Sequence, residues 1–408
     1  MDRERRNEVS RRDFLWRTTS GAAALGVGAL AAQAWAEQAA PAGDAAQSTA
    51  RKPILPHGKL GRTGYPVTLV SFGGILLKGS VGTRVLQLAI DRGINLVHTS
   101  ASYGGGASVA AFGELFKAAP AYREKVFLCL KSLRPEKESE IDDMLRALGV
   151  ENADAVLTEL HSPDPKRVDA IRRQQDALKK KGKVRHTGFV CHGDMNDVLE
   201  LVLDQHKDYF DVALLAMKLV PNPANRDKAA ADEAGQRFLA NLKALRKAGV
   251  GILSMKSGAK EAVKKGAAVY GPHIKAYLEA GADSMLTSMD TLDQVDMVTR
   301  LELRNPHLTP DERRAAAEFH DSQAGTCRMC AACKKACPQG LPVNDLMRFR
   351  MYDVDYGLHE HARTEYESLG VDFRQAASRC GDCTACASVC PVNLAGPTTV
   401  RDTAIALG

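Results

Sequence analysis

Eight of the ten cysteines form two quartets near the end of the chain: Cys327, Cys330, Cys333 and Cys337-Pro338, then Cys380, Cys383, Cys386 and Cys390-Pro391. Each quartet reads C-x2-C-x2-C-x3-C-P. Thiolates at these spacings can wrap three corners of a cubane 4Fe-4S cluster from one tight loop, while the fourth, thrown outward by the proline, reaches the neighbouring cluster. On that crossed pattern one cluster takes Cys327, Cys330, Cys333 and Cys390, and the other takes Cys380, Cys383, Cys386 and Cys337. Structural zinc or disulfides are the alternative, but zinc sites usually show two separated pairs of ligands, not a quartet ending in Cys-Pro. The chemistry expected here is electron transfer. The two remaining thiols, Cys129 and Cys191, lie inside apolar runs and read as core.

The larger part of the chain must supply whatever those electrons act on. From about 53 to 302, short β-rich runs (67–72, 95–100, 126–132, 155–161, 186–191, 212–219, 250–255 and 283–288) alternate with amphipathic helical patterns. Eight strands, each followed by a helix, in about 250 residues predict a (β/α)8 TIM barrel. A doubly wound sheet would alternate similarly, but no Gly-x-Gly-x-x-Gly follows the first strand. In a barrel the chemistry belongs at the C-terminal ends of the strands.

Those ends carry His98-Thr99-Ser100-Ala101-Ser102-Tyr103-Gly104 after the second run, Lys131 at the third and His161-Ser162-Pro163-Asp164 at the fourth. Together with the opening Leu60-Gly61-Arg62-Thr63-Gly64, they make this part of the chain resemble the aldo-keto reductases. That family's signature is Gly-Ile-Asn-x-x-Asp-Thr-Ala-x-x-Tyr-Gly, then a strand-end Lys and a His-x-Pro-Asp. A subgroup of the family also carries the paired cluster motifs. The resemblance implies that Tyr103 is the acid protonating a developing alkoxide, that Lys131 lowers the pKa of its phenol, and that His161 holds the substrate oxygen. At ~4 Å and an effective dielectric of ~20, the Lys–phenolate attraction is about 4 kcal/mol.

Departures from the family pattern bear on function. His98 stands where the family has an Asp, so Lys131 loses a countercharge and is expected to have a depressed pKa; His98 could itself relay a proton, or the site could be weakened. Val190 replaces a Ser that would bind the nicotinamide carboxamide, and Asp290 would repel a 2'-phosphate. Lys256 and Ser288 are the remaining candidate nucleotide contacts. Export, expected from the N-terminal motif, would also remove the chain from reduced nicotinamide. These considerations favour a cluster-fed oxidoreductase acting on a small organic, carbonyl-type substrate. The alternatives are an electron-transfer subunit with a degenerate barrel and a conventional NADPH-dependent aldo-keto reductase.

Residues 1–36 read as a twin-arginine signal peptide: Ser10-Arg11-Arg12-Asp13-Phe14-Leu15, an Ala/Gly-rich apolar run and a small-x-small site at Ala34-Trp35-Ala36. The expected location is the periplasm, reached through the twin-arginine translocase, with a membrane tether if the signal is uncleaved. Residues 37–52 read as a flexible leader. The 408-residue chain has a formal charge of +6, with no basic stripe carrying interleaved aromatics, so nucleic acid is not an expected partner. Thr309-Pro310-Asp311-Glu312 predicts a capped helix within a connector at 303–322. The remainder, 323–408, is expected to be a mainly helical dicluster ferredoxin domain. Its aromatics Phe349, Tyr352, Tyr356, Tyr366 and Phe373 read as core, and Arg348, Arg350, Arg374 and Arg379 as solvated charge open to an acidic redox partner, a protein or a membrane electron-transfer complex.

Overall fold

Short apolar β runs between amphipathic helices leave each strand needing cover on two faces, and a closed parallel barrel ringed by helices supplies it. The computed structural model describes residues 55–137, 139–219, 233–323 and 325–408. The twin-arginine motif, its cleavage site and the leader at 37–52 lie outside the described residues. Among the described residues, no helix is long and apolar enough to cross a membrane.

The barrel strands are β3 (Val70–Gly73), β4 (Leu96–Ser100), β5 (Phe127–Ser132), β6 (Ala153–Glu159), β7 (Val184–Cys191), β8 (Val212–Ala216), β9 (Gly251–Met255) and β10 (Ser284–Thr287). They pair in parallel in chain order, and β10 closes on β3 through Met285 opposite Val70. Their apolar side chains, including Cys129 and Cys191, are buried, with Leu286 of β10 only partly so.

Several strand expectations shift: β7 begins at Val184, two residues before the run 186–191, and β8 ends at Ala216, since Met217–Leu219 of the run 212–219 turn into a 3-10 helix. The run 67–72 divides at Leu69, whose N–H donates to Pro56 O at 3.1 Å. Residues before it form an antiparallel hairpin, β1 (His57–Lys59) with β2 (Pro66–Thr68), and residues after it enter the barrel. The hairpin closes the N-terminal end of the barrel. Gly61 there has φ +45°, and a Cβ would meet Gly251 N at 2.2 Å, so the close approach requires glycine. The fourth run begins earlier than expected because Ala153 pairs with Val184. Glu159 therefore ends the strand, and His161 lies on the loop beyond it.

After the barrel, Thr309 caps the helix Pro310–Ser322 in a full capping box with Glu312. This helix lies along Ala267–Ala280 through Lys275–Glu312 (2.7 Å) and Arg313–Glu279 (3.0 Å). Beyond it the chain is helical, with Val343–Arg350 and His359–Ser368 laid against the C-terminal end of the barrel. Lys334–Asp194 (2.8 Å), Lys335–Asp197 (2.6 Å) and Lys218–Thr326 (3.1 Å) fasten the two parts.

Candidate active site and cysteine cavities

Tyr103, Lys131 and His161 come from the second to fourth barrel strands or the loops just after them, so the parallel register brings them to one end of the barrel. Tyr103 opens the turn Tyr103–Gly106 and is buried. Lys131 Nζ lies 5.1 Å from the centre of the Tyr103 ring. Lys131 also donates to Glu159 Oε1 at 2.8 Å and faces Glu365 Oε1 at 3.7 Å. Glu159 belongs to the barrel and Glu365 to the helix His359–Ser368, so both parts of the chain hold the same ammonium.

This arrangement corrects the expectation for Lys131. Burial opposes its charge, but Glu159 and Glu365 more than offset that and hold its pKa well above the ordinary value. The countercharge missing at His98 is supplied twice from elsewhere. His98 itself is pushed down to about 3, by burial first and then by Lys131 and Lys256, and neither ring nitrogen has a hydrogen-bond partner. Nor is the Tyr103 phenol lowered: burial raises it well above its usual range, and Lys131 counteracts this only in part.

The helices beyond the barrel cover the site closely. His361 is hydrogen-bonded through Nδ1 to Ser102 O at 2.9 Å, and its ring packs edge-on to Tyr103 at 5.8 Å. Arg348, expected on the surface, is only 2% exposed and bridges Asp345 (3.0 Å) and Glu365 (2.9 Å). Tyr352 hydrogen-bonds to Lys256 and lies beneath its ammonium, with 4.3 Å from Nζ to ring centre. Burial, then Arg348 and Lys131, lower the Lys256 pKa well below its ordinary value. The aromatics at 349, 352, 366 and 373 are buried as expected, but Tyr352 and Tyr356 face barrel lysines as well as their own helices. Lys256 and Ser288 do share a cleft, of about 40 Å³, with Tyr356 forming part of its wall. Val190 is buried in β7 and Asp290 is exposed.

The motifs do not point to Glu159, His192, Arg348, Tyr352, His361 or Glu365. Glu159 would follow from a strand beginning at Ala153; the residues beyond the barrel have no local signal. A much larger cavity, about 850 Å³, opens at the opposite end of the barrel around Tyr65, Phe127, Asp154 and His186. That end of the fold ordinarily carries stability and not chemistry, and none of the residues above reaches it.

The cysteines gather around two cavities. One is edged by Cys327, Cys330, Cys333 and Cys390, the other by Cys337, Cys380, Cys383 and Cys386. Each fourth thiol thus crosses to the other quartet's loop. Left-handed backbone at Met329 and Ala331 (φ 56° and 59°) wraps the first loop inward, and Cys390 Sγ accepts from Leu394 and Ala395 N–H at 3.3 and 3.4 Å. Four thiols per cavity fit a 4Fe-4S cluster, and none is in a disulfide. Asn344 and Met347, on the helix that carries Arg348, line the first cavity.

Residues 81–234 match the Aldo/keto reductase family and residues 323–394 match the 4Fe-4S dicluster domain. Among solved structures, the chain is similar to an aldo-keto reductase from Bacillus halodurans in its holo form, at 14% identity and a TM-score of 0.51, covering 65% of this chain and 96% of that one. It also matches an aldo/keto reductase from Brucella melitensis (15% identity, TM-score 0.48, 65% of this chain and 100% of that one). A third match is an aldo-keto reductase complexed with NADPH (15% identity, TM-score 0.48, 65% and 88%). No curated protein matched. The chain thus joins a closed parallel barrel, matching the aldo/keto reductase family over residues 81–234, to a C-terminal segment that matches the 4Fe-4S dicluster domain and gathers its thiols in fours.

Proposed function

We propose that this chain reduces or oxidises a small carbonyl-type substrate at the Tyr103/Lys131 site, with electrons exchanged through two 4Fe-4S clusters in the cysteine cavities. One observation carries the reading: Lys131 is held jointly by Glu159 of the barrel and Glu365 of the cluster-bearing part. The helix Val343–Arg350 strengthens it, since Met347 lines a cysteine cavity and the adjacent Arg348 pairs with Glu365. When bound, the clusters supply electrons singly, so the two electrons and two protons of a carbonyl reduction would draw one electron from each of two centres. Tyr103 would give the proton taken up by oxygen, solvent water would give the one taken up by carbon, and Lys131, held between Glu159 and Glu365, would steady the phenolate left behind.

Several features argue against nicotinamide as the electron source. Tyr352 occupies Lys256, Val190 offers no hydrogen bond, and the cleft of about 40 Å³ at Lys256 and Ser288 is far below the roughly 300–1,000 Å³ usual for ligand pockets. The 1–36 segment supports export through the twin-arginine translocase to the periplasm, where a redox protein or membrane complex would exchange electrons with the clusters. The rival reading, a barrel serving only as a scaffold, draws on the same packing, because His361 and Glu365 fill space near Tyr103.

Two experiments separate the readings. Dithionite-reduced protein, mixed with a panel of small aldehydes and ketones, should be reoxidised, and Tyr103→Phe should slow this by about 10²–10⁴-fold with cluster potentials unchanged. Equal rates in wild type and variant, or no reoxidation by any carbonyl, would favour the scaffold. In an anaerobic titration with NADPH, nucleotide fluorescence should show no binding at millimolar concentration; binding with bleaching of the clusters would restore the nicotinamide alternative.

A further inference from the structure

Next to the Tyr103/Lys131 pair lies a set of side chains that the proposed proton chemistry does not use. Glu159 ends β6, His161 follows two residues later, and His192 follows the last residue of β7. One ligand atom from each lies within 4.8 Å of the others. His161 Nε2 stands 3.2 Å from Glu159 Oε2, and His192 Nε2 stands 3.8 Å from Glu159 Oε1. The two imidazole rings are 4.0 Å apart.

The backbone is built to bring these rings together. Asp194 N–H donates to His161 O at 2.8 Å, which ties the loop after β7 to the loop after β6. Gly193 permits the approach: a Cβ there would fall 2.2 Å from His161 O and 2.8 Å from His161 Cβ. His192 and Glu159 are at least nine-tenths buried. Yet Nδ1 and Nε2 of His161 and Nδ1 of His192 are buried with no hydrogen-bond partner. The 3.2 Å contact between His161 and Glu159 is close but not aligned as a hydrogen bond. Buried polar groups are nearly always satisfied, and two imidazoles whose Nδ1 atoms have no partner and whose Nε2 atoms meet only one shared carboxylate call for another.

We propose that Glu159, His161 and His192 form a site for a divalent transition-metal ion at the C-terminal mouth of the barrel. Two imidazoles and one carboxylate are the donor set of open zinc sites and of non-haem ferrous sites, where three protein ligands leave room for water or a substrate oxygen. Such an ion would polarise a carbonyl oxygen beside Tyr103, and its binding stands or falls apart from the electron-transfer reading. Lys131 already shares Glu159, so metal and ammonium divide one carboxylate, each taking an oxygen.

The test uses the cluster-loaded full chain, dialysed against zinc and analysed for zinc and iron by mass spectrometry. Wild type should retain about one zinc per chain beyond its iron. His192→Gln and Glu159→Gln should weaken zinc binding by more than about 100-fold, beyond what loss of an outer-shell partner costs, with iron unchanged. His98→Gln, which removes another buried unpartnered imidazole outside the set, should leave zinc as in wild type. Circular dichroism of each variant separates lost ligation from lost fold. Absence of zinc from the wild type, or equal retention by the folded His192→Gln protein, would overturn the proposal.

Discussion

Replacing Arg348 with methionine is expected to lower stability by about 3–5 kcal/mol, the effect of breaking a buried ion pair from one side. The guanidinium is buried between Asp345 at 3.0 Å and Glu365 at 2.9 Å, and both carboxylates are buried too. Removing it leaves two carboxylates with little solvent to turn to, while Glu365 keeps only the longer approaches of Lys131 at 3.7 Å and His361 Nε2 at 3.9 Å. Arg348 also stacks 4.5 Å from the centre of the Phe349 ring, so methionine recovers some packing but none of the charge. Arg314–Asp311 is the control. Its side chains are 68% and 85% exposed, and Arg314→Met should cost no more than about 1 kcal/mol. Arg348→Lys should fall between, because a single ammonium cannot serve both carboxylates with a planar fork. Denaturant midpoints of the cluster-loaded proteins make the comparison. A loss for Arg348→Met no greater than for Arg314→Met would mean that Glu365 and Asp345 are not held as described, and the coupling of helix to site would fall with them.

Arg348 also shows where sequence stops being informative. The barrel is readable because each strand is an apolar run and each helix has one apolar face, so local pattern and final burial agree. The helix Val343–Arg350 breaks that agreement. Asp345 and Arg348 are buried on it because they pair with each other and with Glu365, and Asn344 because it lines the first cysteine cavity. A charged residue facing a charged site has the same local pattern as one facing water. Lys131 illustrates the same limit. From the sequence, His98 in place of an acid leaves the lysine short of a countercharge, and the chemistry of that inference is sound. The replacements come from Glu159, hidden by a two-residue shift of β6, and from Glu365, which no local motif connects to the barrel. The cysteines are the opposite case. Their spacing is fixed by the geometry of what they can wrap, so the crossed grouping of the fourth thiols is legible in the sequence, and the two cavities are edged by those same sets.

That exchange leads to the second large effect, on cluster content. Cys390→Ser should remove about half of the iron, and the cluster lost should be the one held by Cys327, Cys330 and Cys333, not the one held by the neighbouring Cys380, Cys383 and Cys386. Cys390 Sγ is aimed at the first cavity by Leu394 and Ala395 N–H, in a turn where Asn393 takes φ 51°. Single variants alone cannot identify the cluster, but pairs can. If ligation is crossed, Cys327→Ala combined with Cys390→Ser loses no more iron than either change alone, while Cys380→Ala combined with Cys390→Ser loses both clusters. Uncrossed ligation reverses the two results. Iron analysis with low-temperature electron paramagnetic resonance of the dithionite-reduced proteins reads the outcome directly. The assignment also has a kinetic consequence. Met347 lines the first cavity and Arg348 beside it pairs with Glu365 over Lys131, so the cluster lost in Cys390→Ser is the one next to the site. Reoxidation of that variant by a carbonyl substrate should therefore fall far more than its iron content. A rate that fell only in proportion to iron would place the electron entry elsewhere and leave the shared helix a purely structural joint.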